Sequence, residues 1–193
     1  MSVVIAIKEQ DCIYFAADTQ VSSGNYISNP TLSNGFKVQL INQFIVAGAG
    51  LVRLFRFFTL SRELFIVERG SIINKQWIIE QIINPFFLLL DKHQLLEEKK
   101  NGTKYMDLSL MIAYKDKLFL VDGFGEVFEL VDYGVIGKGQ DYILPYLTNN
   151  TCKLNTKDKL LQALRFTSNF EESVSNPYIL IDTHNLVFEK VMD

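Results

Sequence analysis

The sequence predicts an α+β fold arranged as a four-layer sandwich, with helices covering the outer faces of two stacked antiparallel sheets. Two observations carry this. Strand-like runs and pairs of helical stretches follow one another in the order strands, two helices, strands, two helices, strands. The chain has 193 residues, 48% of them hydrophobic, which suits one domain over residues 1–193 with a sizeable core.

Residues 3–8 and 12–18 read as β-rich runs joined by the polar turn Glu9-Gln10-Asp11. Residues 19–36, rich in Ser, Asn, Gly and Pro, read as a long loop, and loops of that length are often functional. Residues 37–41 and 44–47 form a hairpin that leads through Gly48-Ala49-Gly50 into a first helix. There Leu51, Leu54, Phe55, Phe58, Leu64 and Phe65 keep helical spacing. A second helix is expected from about Lys75 to Lys100, kinked or restarted near Pro85, with Glu97-Glu98-Lys99-Lys100 as its solvated end. Strands return at 108–114, 117–122, 127–130 and 133–136. Helices carrying Tyr142, Leu144 and Tyr146, and then spanning 156–169, precede two closing strands at 178–182 and 186–190.

Composition narrows the function. A net charge of −3 leaves no basic excess to neutralise phosphates, so nucleic acid is excluded as a main partner. No apolar run reaches the ~20 residues a bilayer span requires, and the longest, Ile78 to Leu90, is cut by Glu80, Gln81, Asn84 and Pro85. The N-terminus lacks the basic region and long apolar stretch of a signal peptide, so a cytoplasmic protein is expected. Cys12 and Cys152 fit a reducing compartment and make no metal spacing. His93 and His184 have no ligand-spaced neighbours, so no metal and no cofactor is expected. No G-x-S-x-G is present, which removes an α/β-hydrolase reading. A lone G-x-G at Gly137-Lys138-Gly139 is weak support for phosphate binding.

The chemistry concentrates at the start of the chain. Once Met1 is removed, Ser2 carries a hydroxyl and a free α-amine on one residue. That amine titrates near pH ~7.7–8, so it can take the hydroxyl proton at neutral pH. The first strand begins immediately and the second ends in Asp18. Taken singly, a Ser after the initiator Met, a carboxylate ending a strand, a strand-edge lysine and a Gly-Ala-Gly turn are all ordinary structural features. Their joint order carries the inference.

In that order, Val3 to Ile7, Ala16-Ala17-Asp18-Thr19, Ser23-Gly24-Asn25, Ile45-Val46-Ala47-Gly48-Ala49-Gly50 and Ile136-Gly137-Lys138-Gly139 resemble a proteasome β-type subunit or the related bacterial HslV peptidase. The resemblance covers essentially the whole chain. It implies the N-terminal nucleophile hydrolase fold and cleavage of peptide bonds. It puts Ser2 at the nucleophile position and Asp18 at the catalytic acid. Strict counting sets the family lysine at Asn34, whereas Asn34-Gly35-Phe36-Lys37-Val38 resembles the lysine-bearing strand start and favours Lys37. Gly48 matches the glycine whose N–H stabilises the oxyanion. Val21, Ser22, Val46 and Gly50 fall where substrate strands and the specificity pocket lie. An ammonium at Lys37 would keep the nearby α-amine neutral, and Asp18 would hold that ammonium charged.

Departures from the family are specific. Serine replaces the usual threonine nucleophile. Lys138 and Gln140 stand where the family turn carries serines, and the alignment to the family's late acid falls on Glu171 or Glu172, with Asn169 close by, without choosing among them. The resemblance implies identical subunits in a ring, an ATPase unfoldase as a possible partner, and peptide or protein substrates cut after apolar residues. Apolar residues on more than one face of the first helix, Phe55, Phe57 and Phe58, fit burial against neighbouring subunits. The competing readings are a non-catalytic ring or scaffold subunit of the same fold and a small-molecule amidase with the same nucleophile.

Overall fold

The structure, a computed structural model, describes residues 3–23, 26–28, 37–149 and 154–192, with the side chains of 21–23 and 26–28 outside that description. Strands β1 (Val3–Glu9) and β2 (Cys12–Asp18) form an antiparallel hairpin through a two-residue turn, where Gln10 takes the left-handed conformation. Their sheet is completed by β12 (Tyr133–Gly137) on the outer side of β1, and by β13 (Tyr178–Asp182) and β14 (Glu189–Val191) beyond β2. The second sheet runs β11 (Val127–Leu130), β10 (Lys117–Val121), β9 (Leu108–Tyr114), β6 (Phe44–Gly50), β5 (Val38–Ile41). Every pairing in both sheets is antiparallel.

The layering follows from the two-residue period of a strand. In β1, Val4 and Ala6 face the second sheet and join Phe15, Ile45, Met111 and Ile179 in the central core. Val3 and Ile5 point the other way, into a layer with Leu160, Leu164 and Leu180. Both faces are covered, so Val3-Val4-Ile5-Ala6 is a continuous apolar run without alternation. The second sheet is covered on its outer face by Phe58, Ile82 and Phe86, which pack on Leu110 and Phe119. Burying each such side chain stabilises the fold by roughly 1.5–3 kcal/mol. The result is the expected sandwich of helices, sheet, sheet, helices.

The helices show where local pattern and tertiary structure part. Helix α1 (Val52–Leu60) buries Leu54, Phe55 and Phe58, and a short 3₁₀ turn at Arg62–Phe65 follows it. Phe57 is half-buried, with its ring packed against Phe86 and His93. Asn74 caps the next helix by accepting the Trp77 N–H at 2.9 Å. That helix runs as α2 (Lys75–Trp77), a π-helical stretch (Ile78–Ile83) and α3 (Asn84–Lys92). The Asn84 N–H donates to Ile79 O, the five-residue spacing of a π turn. The widened turn sits directly before Pro85, which has no N–H to continue a regular ladder.

The helix ends at Lys92, eight residues short of the sequence expectation of Lys100. Gln94 turns left-handed, and Glu97–Glu98 pairs as β7 with Lys104–Tyr105 as β8. The Lys99 ammonium sits 4.2 Å from the Phe124 ring centroid, so this charged stretch is a hairpin packed on an aromatic. Within the expected loop 19–36, Val21–Ser23 and Tyr26–Ser28 pair as β3 and β4. Helices α4 (Gln140–Asn149) and α5 (Thr156–Ser168) cover the first sheet. The closing strand begins at Glu189 where Leu186 was expected. Among the described residues, no helix is long and apolar enough to cross a membrane.

Candidate active site

Asp18 ends β2, opposite the start of β1, because the register pairs Val4 with Ala17. Its Oδ1 accepts the Val3 N–H at 3.1 Å and its Oδ2 accepts the Gln20 N–H at 3.1 Å. The Lys37 ammonium, just ahead of β5, donates to the same Oδ2 at 2.5 Å. Asp18 is 0% and Lys37 3% exposed, so the ion pair is withdrawn from water. Burial pushes the Asp18 carboxyl up and the Lys37 ammonium down in pKa, each against the attraction of the other. Such a pair is held by mutual need: removing one partner strands a buried charge.

The structure therefore brings Asp18 and Lys37 together at the point where the chain enters β1. Ser2, one peptide bond before Val3, lies outside the described residues, as do Met1, Asn34 and Cys152. Val21 and Ser22 lie in β3, with side chains outside the description.

Two expected positions have contacts of their own. Val46 is fully buried in the core between the second sheet and its helices. Its place follows from strand alternation: Ile45 and Ala47 face the first sheet, and Val46 faces α1 to α3. Gly48 donates its N–H to the Lys37 carbonyl at 2.9 Å, so that donor is already engaged. A Cβ at Gly48 would fall 2.3 Å from the Phe55 ring, which gives this glycine a packing reason.

Gly50 ends β6 at φ +140°, a conformation side chains rarely adopt, and a Cβ there would meet the Asp107 carbonyl at 2.3 Å. It lines a cavity of about 760 Å³ whose wall includes Leu51, Asp107, Lys138, Tyr142 and Glu171. In Gly137-Lys138-Gly139, Gly137 is left-handed at φ +98°, and a Cβ at Gly139 would clash at 2.9 Å with Thr167 and Val3. The glycines thus serve the seam between β12, β1 and α5, and Lys138 is left exposed on the cavity wall.

Glu171 Oε1 accepts the Ser173 N–H at 3.1 Å and the Ser173 hydroxyl at 2.6 Å. The Ser173 hydroxyl bond is the main cause holding the Glu171 carboxyl below its ordinary value, and Lys138 adds attraction. Of the two glutamates, Glu171 and not the exposed Glu172 lines this cavity, together with Asp107 and Asp141. Sequence reasoning did not single out Ser173, nor Gln20. Gln20 stands two residues after Asp18, but its partners are more than 150 residues away and leave no local signal. Among the described residues, no group of three or more His, Cys, Asp or Glu side chains could hold a metal ion.

Known structures share this architecture. Thiobacillus denitrificans BPH superposes at a TM-score of 0.77 with 18% identity, covering 93% of this chain and 96% of that one. Yersinia bercovieri Anbu, described as an ancestral β-subunit, gives 0.73 with 16% identity over 99% of this chain and 87% of its own. Eukaryotic HslV from Trypanosoma brucei gives 0.63 with 14% identity over 93% and 98%. No curated protein matches the sequence. The proteasome subunit family profile matches residues 2–167, and the chain belongs to that family.

Proposed function

We propose that the chain is the subunit of a self-assembling peptidase whose nucleophile is the Ser2 hydroxyl, exposed by removal of Met1. The observation that carries this is the buried Asp18–Lys37 pair, whose carboxylate accepts the Val3 N–H. An ion pair costs desolvation wherever it is buried, so its placement one peptide bond from residue 2 needs a reason beyond stability. The reason offered here is chemical. A cation close to the α-amine disfavours its protonation, so the amine stays neutral and can accept the Ser2 proton. The hydroxyl oxygen then attacks the scissile carbonyl. The amine returns the proton to the leaving amine, and water, deprotonated by the same base, hydrolyses the acyl ester.

The developing oxyanion needs an N–H that is not already bonded. Backbone N–H groups along a strand alternate sides, so with the Gly48 N–H directed at Lys37, the Gly50 N–H points the same way one pleat further on. Gly50 is therefore the proposed donor in place of Gly48. Its glycine identity and its place on the cavity wall support this.

The test is the N-terminally processed protein against short peptides with varied residues before the scissile bond. Turnover is expected, and Ser2→Ala should lower kcat by about 10⁴-fold or more, as for other covalent nucleophiles. Epoxomicin, bound by the Thiobacillus BPH in one structure, serves as a probe: the processed protein should gain its mass, and Ser2→Ala should not. A processed protein inert to both would favour the non-catalytic subunit, and turnover confined to small amides would favour the amidase. Assembly of identical subunits is part of the proposal. A Pseudomonas aeruginosa Anbu structure is described as a helical assembly, so light scattering and electron microscopy should distinguish closed rings from open helices, and a monomer at micromolar concentration would count against either.

A further inference from the structure

We propose that Gln20 is a positioning residue that ties Asp18 to the segment carrying Glu171 and Ser173, fixing the two sides of the site at one spacing. This rests on the peptidase reading for its consequence in catalysis, but not for its geometry. Gln20 is 4% exposed, and its side chain and backbone N–H are both engaged. Its backbone N–H donates to Asp18 Oδ2 at 3.1 Å. Its amide Nε2 donates to the Glu172 carbonyl at 3.1 Å. Its amide Oε1 accepts the Ser175 hydroxyl at 2.6 Å. Thr19 adds a parallel tie, its hydroxyl donating to the Pro177 carbonyl at 2.9 Å.

The arrangement is directional. One end of Gln20 holds the carboxylate that holds Lys37. The other end grips residues 172 and 175, which bracket Ser173, itself the partner of the Glu171 carboxylate on the cavity wall. The segment has one further internal bond, Val174 N–H to Glu171 O at 2.9 Å. The Glu171 N–H to Thr167 O bond at 2.9 Å and buried Val174 anchor the turn to the helix before it and to the core, and the Gln20 bridge is what joins it to Asp18. A buried amide that merely satisfied itself in the core would not need to sit between two halves of a site 150 residues apart in sequence.

The experiment uses the full chain, N-terminally processed, as wild type, Q20M and S175A. Methionine preserves length and burial but makes none of the amide bonds, and S175A removes the single bond to Oε1. Three quantities are read: hydrogen exchange of the Ser173 and Val174 amides, the Glu171 carboxyl titration by carbon-13 NMR, and kcat and KM on a cleaved peptide. Q20M should speed exchange at Ser173 and Val174 by about tenfold, the scale of an unpaired buried group, with the α1–α3 layer unchanged. Glu171 should titrate closer to the ordinary carboxylate range, and kcat should fall while KM stays within about twofold, the pattern of lost transition-state alignment. S175A should move all three in the same direction by less, and it decides the matter if Q20M does not fold. Unchanged local exchange and titration, or exchange accelerated equally everywhere, would overturn the proposal. A wild type that is inert defeats the peptidase reading alone, because exchange and titration still test Gln20.

Discussion

Two lysine–carboxylate arrangements flank the start of β1, and they are built on opposite terms. Lys37 and Asp18 are buried together, with the carboxylate also holding two backbone N–H groups. Lys138 is exposed, and Glu171, only half-buried, leans first on Ser173 and only secondarily on that lysine. In the first, burial drives both groups toward neutrality, while the partner, and on Asp18 two backbone N–H groups as well, favours the charged forms. In the second, the Glu171 carboxylate is favoured mainly by Ser173, and the exposed lysine adds little. If the α-amine of Ser2 is the base proposed above, a charge fixed beside it must not exchange its counter-ion, and the buried pair meets that need.

The sharpest break in this contrast is Lys37→Met. Removing one member of a buried pair should cost about 3–5 kcal/mol, and activity should fall by about 10³-fold or more because the pair and the nucleophile act as a unit. The pH dependence has a definite sign. Asp18, left without its cation, has a folded pKa raised above its unfolded value. Its contribution is present below the unfolded pKa and lost as pH rises through the folded one. Urea melts of K37M should therefore show greater stability near pH 5 than near pH 8, and D18N/K37M should lose that slope. Lys138→Met, by contrast, should leave stability within about 0.5 kcal/mol.

The strand between the two arrangements offers the next test. Gly50→Ala meets both a left-handed φ and the Asp107 carbonyl. It should cost about 1–3 kcal/mol of backbone strain and lower kcat by about 10²-fold through the displaced N–H. Gly48→Ala, two residues earlier, should cost a similar 1–3 kcal/mol by overpacking on Phe55, yet leave kcat per folded molecule nearly unchanged. Active-site titration with epoxomicin normalises the two. Equal kcat losses would return the oxyanion role to Gly48.

Ser173→Ala should show the smallest effect. Glu171 is held below its ordinary pKa, so its contribution is present above the unfolded value and lost as pH falls through the folded one. Removing the hydroxyl should flatten thermal stability between about pH 3 and 5 by no more than about 0.5 kcal/mol, since solvent screens so accessible a group. A larger change would mean that the outer acid is less solvated than its exposure indicates.

How much of this was legible in the sequence depended on where the determining contacts lay. The β1–β2 hairpin could be read because a doubly covered strand is continuously apolar, and the Asp18–Lys37 pairing because residues 34–38 resemble the lysine-bearing strand start, although strict counting points to Asn34. Helix α3 was overextended because Leu95 and Leu96 continue an apolar pattern, while the residue that stops it, left-handed Gln94, is not a glycine and gives no warning. The β3–β4 hairpin was read as loop because three-residue strands are too short to show a period. Gly48 and Gly50 look alike in Gly-Ala-Gly, and only the pairing of β6 with β5 separates them. Which layer Val46 faces is not legible, because an apolar residue beside a glycine turn can face either one. Gln20 and Ser173 depend on partners across the chain, which no local window contains.

The contact between Phe55 and Gly48 has a mechanical consequence. A Cβ at Gly48 would collide with the Phe55 ring, so any larger residue there would push α1 off the end of β6. The apolar side chains at the two ends of that helix, Leu51 and Leu60, are exposed.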